Sequence, residues 1–355
     1  MIRPRPEVGR LSAYRLLRNA PVKLNQNESP VDWLDDDKAQ VLARVAARAW
    51  NRYPADSDAL RRAFARHVGV EPEMVAVTSG SNEGILAVVE TFASGRAAVL
   101  TAPGYSMSVP LAVVGGAQVR AVRLRENFSL DVAAMVREAR APGAAVVFLA
   151  SPNNPTGMPF ARADIEAVIE ASGGIVVVDE AYAQFTDESF VPELARHPNL
   201  VVLRTFSKAF ALAGARVGWI VARAPVIAEI VKALPPYNVN IFAQEVALAA
   251  LERPELVQER VRAIVAERSR LFQVLAAVAG VETFPSRTNF ILFRTGLPAP
   301  DLMERLLEQG VLVRDVSSQP MLERCLRVTV GTREDNDRFL EALRLSLAER
   351  AEGRR

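Results

Sequence analysis

Between Met74 and Ser207 the chain repeats one pattern: a short apolar run that ends in a polar or glycine-rich turn, then a longer stretch of helical period. The runs are MVAVTSG (74–80), AAVLTAPG (97–104), AAVVFLASP (144–152), GIVVVDEAY (174–182) and LVVLRTFS (200–207). Short runs with so few polar interruptions predict strands buried on both faces. The stretches NEGILAVVETFAS (82–94) and ADIEAVIEASGG (163–174) space their apolar residues for one face of a helix. Strand alternating with helix predicts an α/β architecture with a mostly parallel sheet flanked by helices. In such sheets ligands gather in the crevice outside the carboxyl ends of the strands, so the polar residues closing each run are the candidates for chemistry.

The pattern changes near residue 242. The segment 242–278 predicts one or two long helices interrupted near Pro254, and then come TNFILFR (288–294), a helix-like APDLMERLLEQG (299–310), VLVRD (311–315), CLRVTVG (325–331) and a final helix to about residue 350. This α+β pattern predicts a second, smaller domain. The expected division is 40–245 for the large α/β domain, with 1–39 and 246–355 forming the small one. No low-complexity linker separates them, so the two are expected to pack closely. Lysine plus arginine number 43 against 41 aspartate plus glutamate, a net charge of +2 that excludes the broad basic field nucleic-acid binding usually needs. Cys325 is the single cysteine, which excludes an internal disulfide framework and fits a reducing compartment. With no apolar signal core and no long apolar run, neither secretion nor membrane spanning is expected, and the expected location is cytoplasmic.

Several strand ends carry reactive side chains. Lys208 follows a run in RTFSKAF; alone it is an ordinary surface lysine. VVVDEAY delivers Asp179 from the end of a strongly apolar strand, with Tyr182 three residues on. A buried carboxylate without a cationic or hydrogen-bonding partner costs several kcal/mol, so Asp179 needs one. SPNNPTG places Asn154 in a turn that is otherwise mere punctuation. Lysine, acid, asparagine and tyrosine at the mouth of one sheet suit pyridoxal phosphate: a lysine to bond its aldehyde, a carboxylate to keep its ring nitrogen protonated, donors for its ring oxygen. TSGSNEGI (78–85) leaves a strand and opens a helix, so Gly80, Ser81 and Asn82 are placed to offer backbone amides to an anion; the plainer reading is an N-cap. Ser207 and Arg216 flank Lys208, and the arginine is able to fork onto phosphate oxygens. The G-x-G-x-x-G spacing of a dinucleotide site is absent, which disfavours a nicotinamide dehydrogenase.

NNPTG (153–157), VVVDEAY (176–182), TFSKAFALAGARVG (205–218) and RVTVG (327–331) resemble the fold type I pyridoxal-phosphate-dependent aminotransferases. Within them, LNQNESP (24–30), NRYP (51–54), PYNVN (236–240) and CLRVTVGTREDNDRFL (325–340) resemble the histidinol-phosphate aminotransferase group, in order along nearly the whole chain. The resemblance implies that Lys208 bonds the cofactor and shuttles a proton, Asp179 pairs with the ring nitrogen, and Asn154 and Tyr182 hold the ring oxygen. It implies that Tyr105 stacks on the ring and that Tyr53 reaches the cofactor phosphate of a partner subunit, hence a homodimer with shared sites. Substrate contacts are implied for Arg314 and Arg327, with Tyr14 and Asn25. An arginine inside the predicted strand LRVTV is costly without an anion, which agrees. The implied reaction is transamination between a small-molecule amino donor and a 2-oxo acid, histidinol phosphate and 2-oxoglutarate. The alternatives are an aromatic amino-acid aminotransferase, a decarboxylase of a phosphorylated amino acid, or a cofactor-binding regulator without turnover. Ala55 after RYP and Ala215 before Arg216 depart from the family's usual residues without removing a catalytic group.

Overall fold

The computed structural model describes residues 2–13, 18–54, 57–186 and 188–352, with side chains through residue 348. Thirteen strands are present among them: β1 (Val22–Lys23), β2 (Val75–Thr78), β3 (Ala97–Ala102), β4 (Gln118–Arg123), β5 (Ala144–Ala150), β6 (Ile175–Asp179), β7 (Leu200–Thr205), β8 (Gly218–Ala222), β9 (Val281–Thr283), β10 (Phe290–Thr295), β11 (Val311–Leu312), β12 (Arg314–Asp315) and β13 (Cys325–Thr329). Seven form the central sheet in the order β2-β8-β7-β6-β5-β3-β4. All are parallel except β8, which runs against both β2 and β7. The five expected strands are present, and β5, β6 and β7 are buried almost throughout, as continuous apolar runs require.

Two strands of this sheet were not anticipated. QVRAVR, which becomes β4, lies at the sheet edge with most positions partly or fully exposed, so it lacks the apolar run of a central strand. GWIVA, which becomes β8, is fully buried but breaks the strand–helix alternation, since no α-helix separates it from β7.

The carboxyl ends of β2, β3, β5, β6 and β7 fall on one edge, where Thr78, Ala102, Ala150, Asp179 and Thr205 end their strands. Because β8 is reversed, its first residue pairs there with Thr78 and Thr205. The residues just before β8 therefore join the same edge.

The C-terminal part carries an antiparallel sheet, β12-β13-β10-β9. The predicted break at Pro254 separates helices Ile241–Glu252 and Pro254–Ala276, with the proline in the first turn where its missing N–H costs nothing. VLVRD divides between two partners: β11 pairs in parallel with β1, and β12 pairs with β13. The first pairing ties the N-terminal segment to the C-terminal part. None of the described helices is long and apolar enough to cross a membrane.

Candidate active site

Lys208 stands on a loop held from below by aromatics. Phe206 and Phe210, on either side of it, have ring centroids 4.2 Å apart and pack with Phe64 and Trp219. All four are fully buried. Burial of each phenylalanine contributes about 2 kcal/mol, which fixes the loop. The Lys208 Nζ donates to the Gln26 carbonyl at 3.0 Å. Burial, reinforced by the neighbouring Arg327, pushes its pKa down to about 7. Such an amine is substantially neutral near physiological pH and able to attack an aldehyde.

Asp179 ends β6 and accepts the Ala181 N–H at 3.0 Å. Burial pushes its carboxyl up to about 6, and the adjacent Glu180 adds to this. Glu180 is buried but compensated: Arg204 reaches it at 2.6 Å, Ser189 donates at 3.1 Å and the Phe190 N–H at 2.5 Å.

The turn after β2 builds a cationic corner. Gly80 caps helix Ser81–Phe92 with φ +77°, and a β-carbon there would stand 2.5 Å from the Arg216 guanidinium. Glycine is what lets that guanidinium lie across the helix N-terminus. Gly218 does the same for β8, since a β-carbon on it would lie 2.8 Å from Gly80. Arg216 has φ +54°, an uncommon left-handed conformation for a side-chain-bearing residue. It donates to the Ser207 hydroxyl at 3.1 Å, and Ser207 in turn accepts from Thr205 at 3.0 Å. A guanidinium set against the positive end of a helix dipole is unfavourable until an anion sits between them.

Opposite this corner, Asn154 Nδ2 donates to the Tyr182 hydroxyl at 3.3 Å, and its side-chain oxygen accepts from Arg327 at 2.7 Å. Arg327 also donates to the Asn25 carbonyl at 2.8 Å. The register of β12 and β13 sets Arg314 directly across from Arg327. Like charges directly opposite on a sheet repel, so this pair too suits an anionic guest. Tyr105 donates to the Asn82 side-chain oxygen at 3.0 Å.

One cavity of about 540 Å³ is lined by Lys208, Asp179, Tyr182, Asn154, Tyr105 and both arginines of β12 and β13, together with Ser81, Asn82, Ser207, Arg216 and Asn25. The sequence candidates thus converge, with Gly80 just behind Arg216. Tyr53 is apart: it is 79% exposed, stacks on Tyr237 at 4.7 Å and does not line this cavity. Tyr14 and Ala55 lie outside the described residues. The sequence reading overlooked Gln26 and Asn27, which share the cavity wall with Asn25. Their signal was present in LNQNESP, but their partners lie far along the chain.

A near-neutral lysine amine able to bond a carbonyl carbon, in one cavity with an ionisable carboxyl and several arginines, suits an enzyme of amino-group chemistry. The chain belongs to the class I and II aminotransferases, whose family model matches residues 19–343. It is 39% identical over 350 residues to the histidinol-phosphate aminotransferase of Chlorobaculum tepidum, covering 96% of this chain and 99% of that protein. To the enzyme of the same name from Pyrococcus furiosus it is 37% identical over 345 residues, 97% of this chain and 98% of that one. In fold it is similar to the crystal structure of histidinol-phosphate aminotransferase from Sinorhizobium meliloti in complex with pyridoxal 5′-phosphate, with TM-score 0.87, 24% identity and 98% of each chain covered. Pyridoxal 5′-phosphate is the cofactor of the family, and the residues present fit it: a near-neutral lysine amine, a carboxyl at the cavity wall, and a helix N-terminus against which only a glycine at position 80 lets the Arg216 guanidinium lie.

Proposed function

We propose that this aminotransferase exchanges an amino group between histidinol phosphate and 2-oxoglutarate, the step that serves histidine synthesis. The observation that carries the substrate reading is the facing pair Arg314 and Arg327 in one cavity with Lys208. Each guanidinium accepts a phosphate or a carboxylate as a fork, so one pocket receives a phosphorylated amine in one half-reaction and a dicarboxylate in the other. The curated relatives carry the same substrate in their names.

Bound pyridoxal phosphate supplies the electron sink for charge that develops on the substrate carbon. Lys208 would hold the cofactor through its aldehyde and would move the proton at the substrate carbon. Asp179, with its pKa raised to about 6, is mostly ionised at pH 7 and would pair with the protonated ring nitrogen. Ser81, Ser207 and Arg216 would hold the phosphate, Asn154 and Tyr182 the ring oxygen, and Tyr105 the ring, since all six line one cavity. We take 40–245 as the large domain and 1–39 with 246–355 as the small one. The working form is a homodimer in which Tyr53 completes the partner's phosphate site. The exposure of Tyr53, Tyr237 and Trp50 supports this, since a second copy would cover them.

The test is kcat/KM for histidinol phosphate, histidinol and phenylalanine, each with 2-oxoglutarate. Histidinol phosphate is expected to lead histidinol by at least ~100-fold, about what loss of a charge-assisted fork costs. A preference for phenylalanine would overturn the substrate assignment and leave the family unchanged.

A further inference from the structure

Asn27 makes no appearance in the roles above, yet few side chains are held more tightly. It is 1% exposed, with its backbone in the left-handed region at φ +53°, a conformation asparagine tolerates better than most residues. Its N–H donates to the Thr329 hydroxyl oxygen at 2.9 Å, and its carbonyl accepts from Asn289 Nδ2 at 2.9 Å. The Thr329 hydroxyl donates to the Asn27 side-chain oxygen at 3.4 Å. With that oxygen turned toward Thr329, the amide nitrogen faces Tyr182 and donates to its hydroxyl at 2.8 Å.

Asn154 is the second donor to the same hydroxyl, and its amide is oriented by Arg327. Both amides are therefore set by residues of β13. A phenolic oxygen has room for two incoming donors beside its own hydrogen. Two amides fill that room, so the hydrogen must point elsewhere, and the open side of Tyr182 is the cavity it lines.

We propose that Asn27 is a positioning residue that makes Tyr182 a hydrogen-bond donor into the cavity. On the cofactor reading above, on which this rests, the recipient is the ring oxygen.

Asn27→Asp keeps size and backbone tolerance but replaces the donor with an acceptor, which draws the Tyr182 proton away from the cavity. The readout is the pH midpoint of the visible absorbance change of the cofactor-loaded protein with no substrate present. A ring oxygen that loses a donor holds its negative charge less well and the proton shared with the lysine nitrogen more firmly. The midpoint is expected to rise by about one pH unit, the size of one net hydrogen bond. In a Tyr182→Phe background the same substitution should move it little.

Thr329→Val removes the hydroxyl that turns the amide and adds no charge; it should move the midpoint the same way by less, and it decides the matter if Asn27→Asp does not fold. An unmoved midpoint in both variants, or an equal shift without the phenol, overturns the role of Asn27. A wild-type chain that takes up no colour from pyridoxal phosphate overturns the cofactor reading beneath it instead.

Discussion

Burying Asp179 at the end of an apolar strand has a cost that a cation paired with its carboxylate would offset. Its pKa is raised from 3.8 to about 6, so the folded cofactor-free chain binds this proton more tightly than the unfolded chain does. Between those values the folded state holds more protons, and stability falls as pH rises, to a plateau about 3 kcal/mol lower. Asp179→Asn keeps an oxygen for the Ala181 N–H but has nothing to ionise. The cofactor-free variant should therefore melt several degrees above wild type at pH 7–8, with the gain fading below about pH 4. Equal melting temperatures at pH 7.5 would mean that the carboxyl is not desolvated as described. Asp179 and Lys208 were legible in the sequence because one ends a strand and the other lies three residues beyond one, where topology alone fixes the neighbourhood. Asn27 was not, because its partners Tyr182 and Thr329 lie 155 and 302 residues away. Only the packing of β13 over the sheet edge brings them together.

Among the elements, the central sheet was legible where strands are apolar on both faces and was missed at β4, whose charges suit an edge. Reversed β8 was missed as well, although it is what brings Arg216 to the mouth of the sheet. The turn from β2 into helix Ser81–Phe92 shows why local sequence was enough for an anion corner but not for its tightness. Gly80 and Gly69 share a positive φ, +77° and +75°, but Gly69 is in the αL region (ψ 39°) whereas Gly80 has ψ 166°, a region essentially reserved for glycine, and a β-carbon on Gly69 would meet nothing within 4 Å. Gly69→Ala should lose about 1 kcal/mol from backbone strain, and Gly80→Ala more, up to about 3 kcal/mol. Gly80→Ala alone should also displace Arg216 and weaken pyridoxal phosphate binding at least ~10-fold, measured by equilibrium titration against absorbance. Equal affinities in the two variants would show that Arg216 does not depend on the missing side chain.

For the whole molecule, the single chain brings together every described candidate but one. Tyr53 projects from the surface beside Tyr237, and Leu42 and Phe242 are exposed as well. The family resemblance of NRYP sends Tyr53 to a partner's phosphate site, and on the proposed dimer that site belongs to a second copy. If each Tyr53 serves the partner's site, defects on two chains should separate by site. A Lys208→Ala chain cannot bond the cofactor but still offers its Tyr53; a Tyr53→Ala chain keeps its lysine but leaves its partner's phosphate site incomplete. In a mixed dimer one site then receives an intact lysine and an intact tyrosine, and the other receives both defects. Random re-pairing of equal amounts makes about half of the dimers mixed, each with one complete site, so activity should recover to about a quarter of wild type. If Tyr53 instead served its own chain's site, each site in a mixed dimer would carry one defect, and mixing would give only the average of the two parents. The assay is transaminase activity after co-refolding, read against protein concentration, since dilution that dissociates the dimer should abolish the recovered fraction.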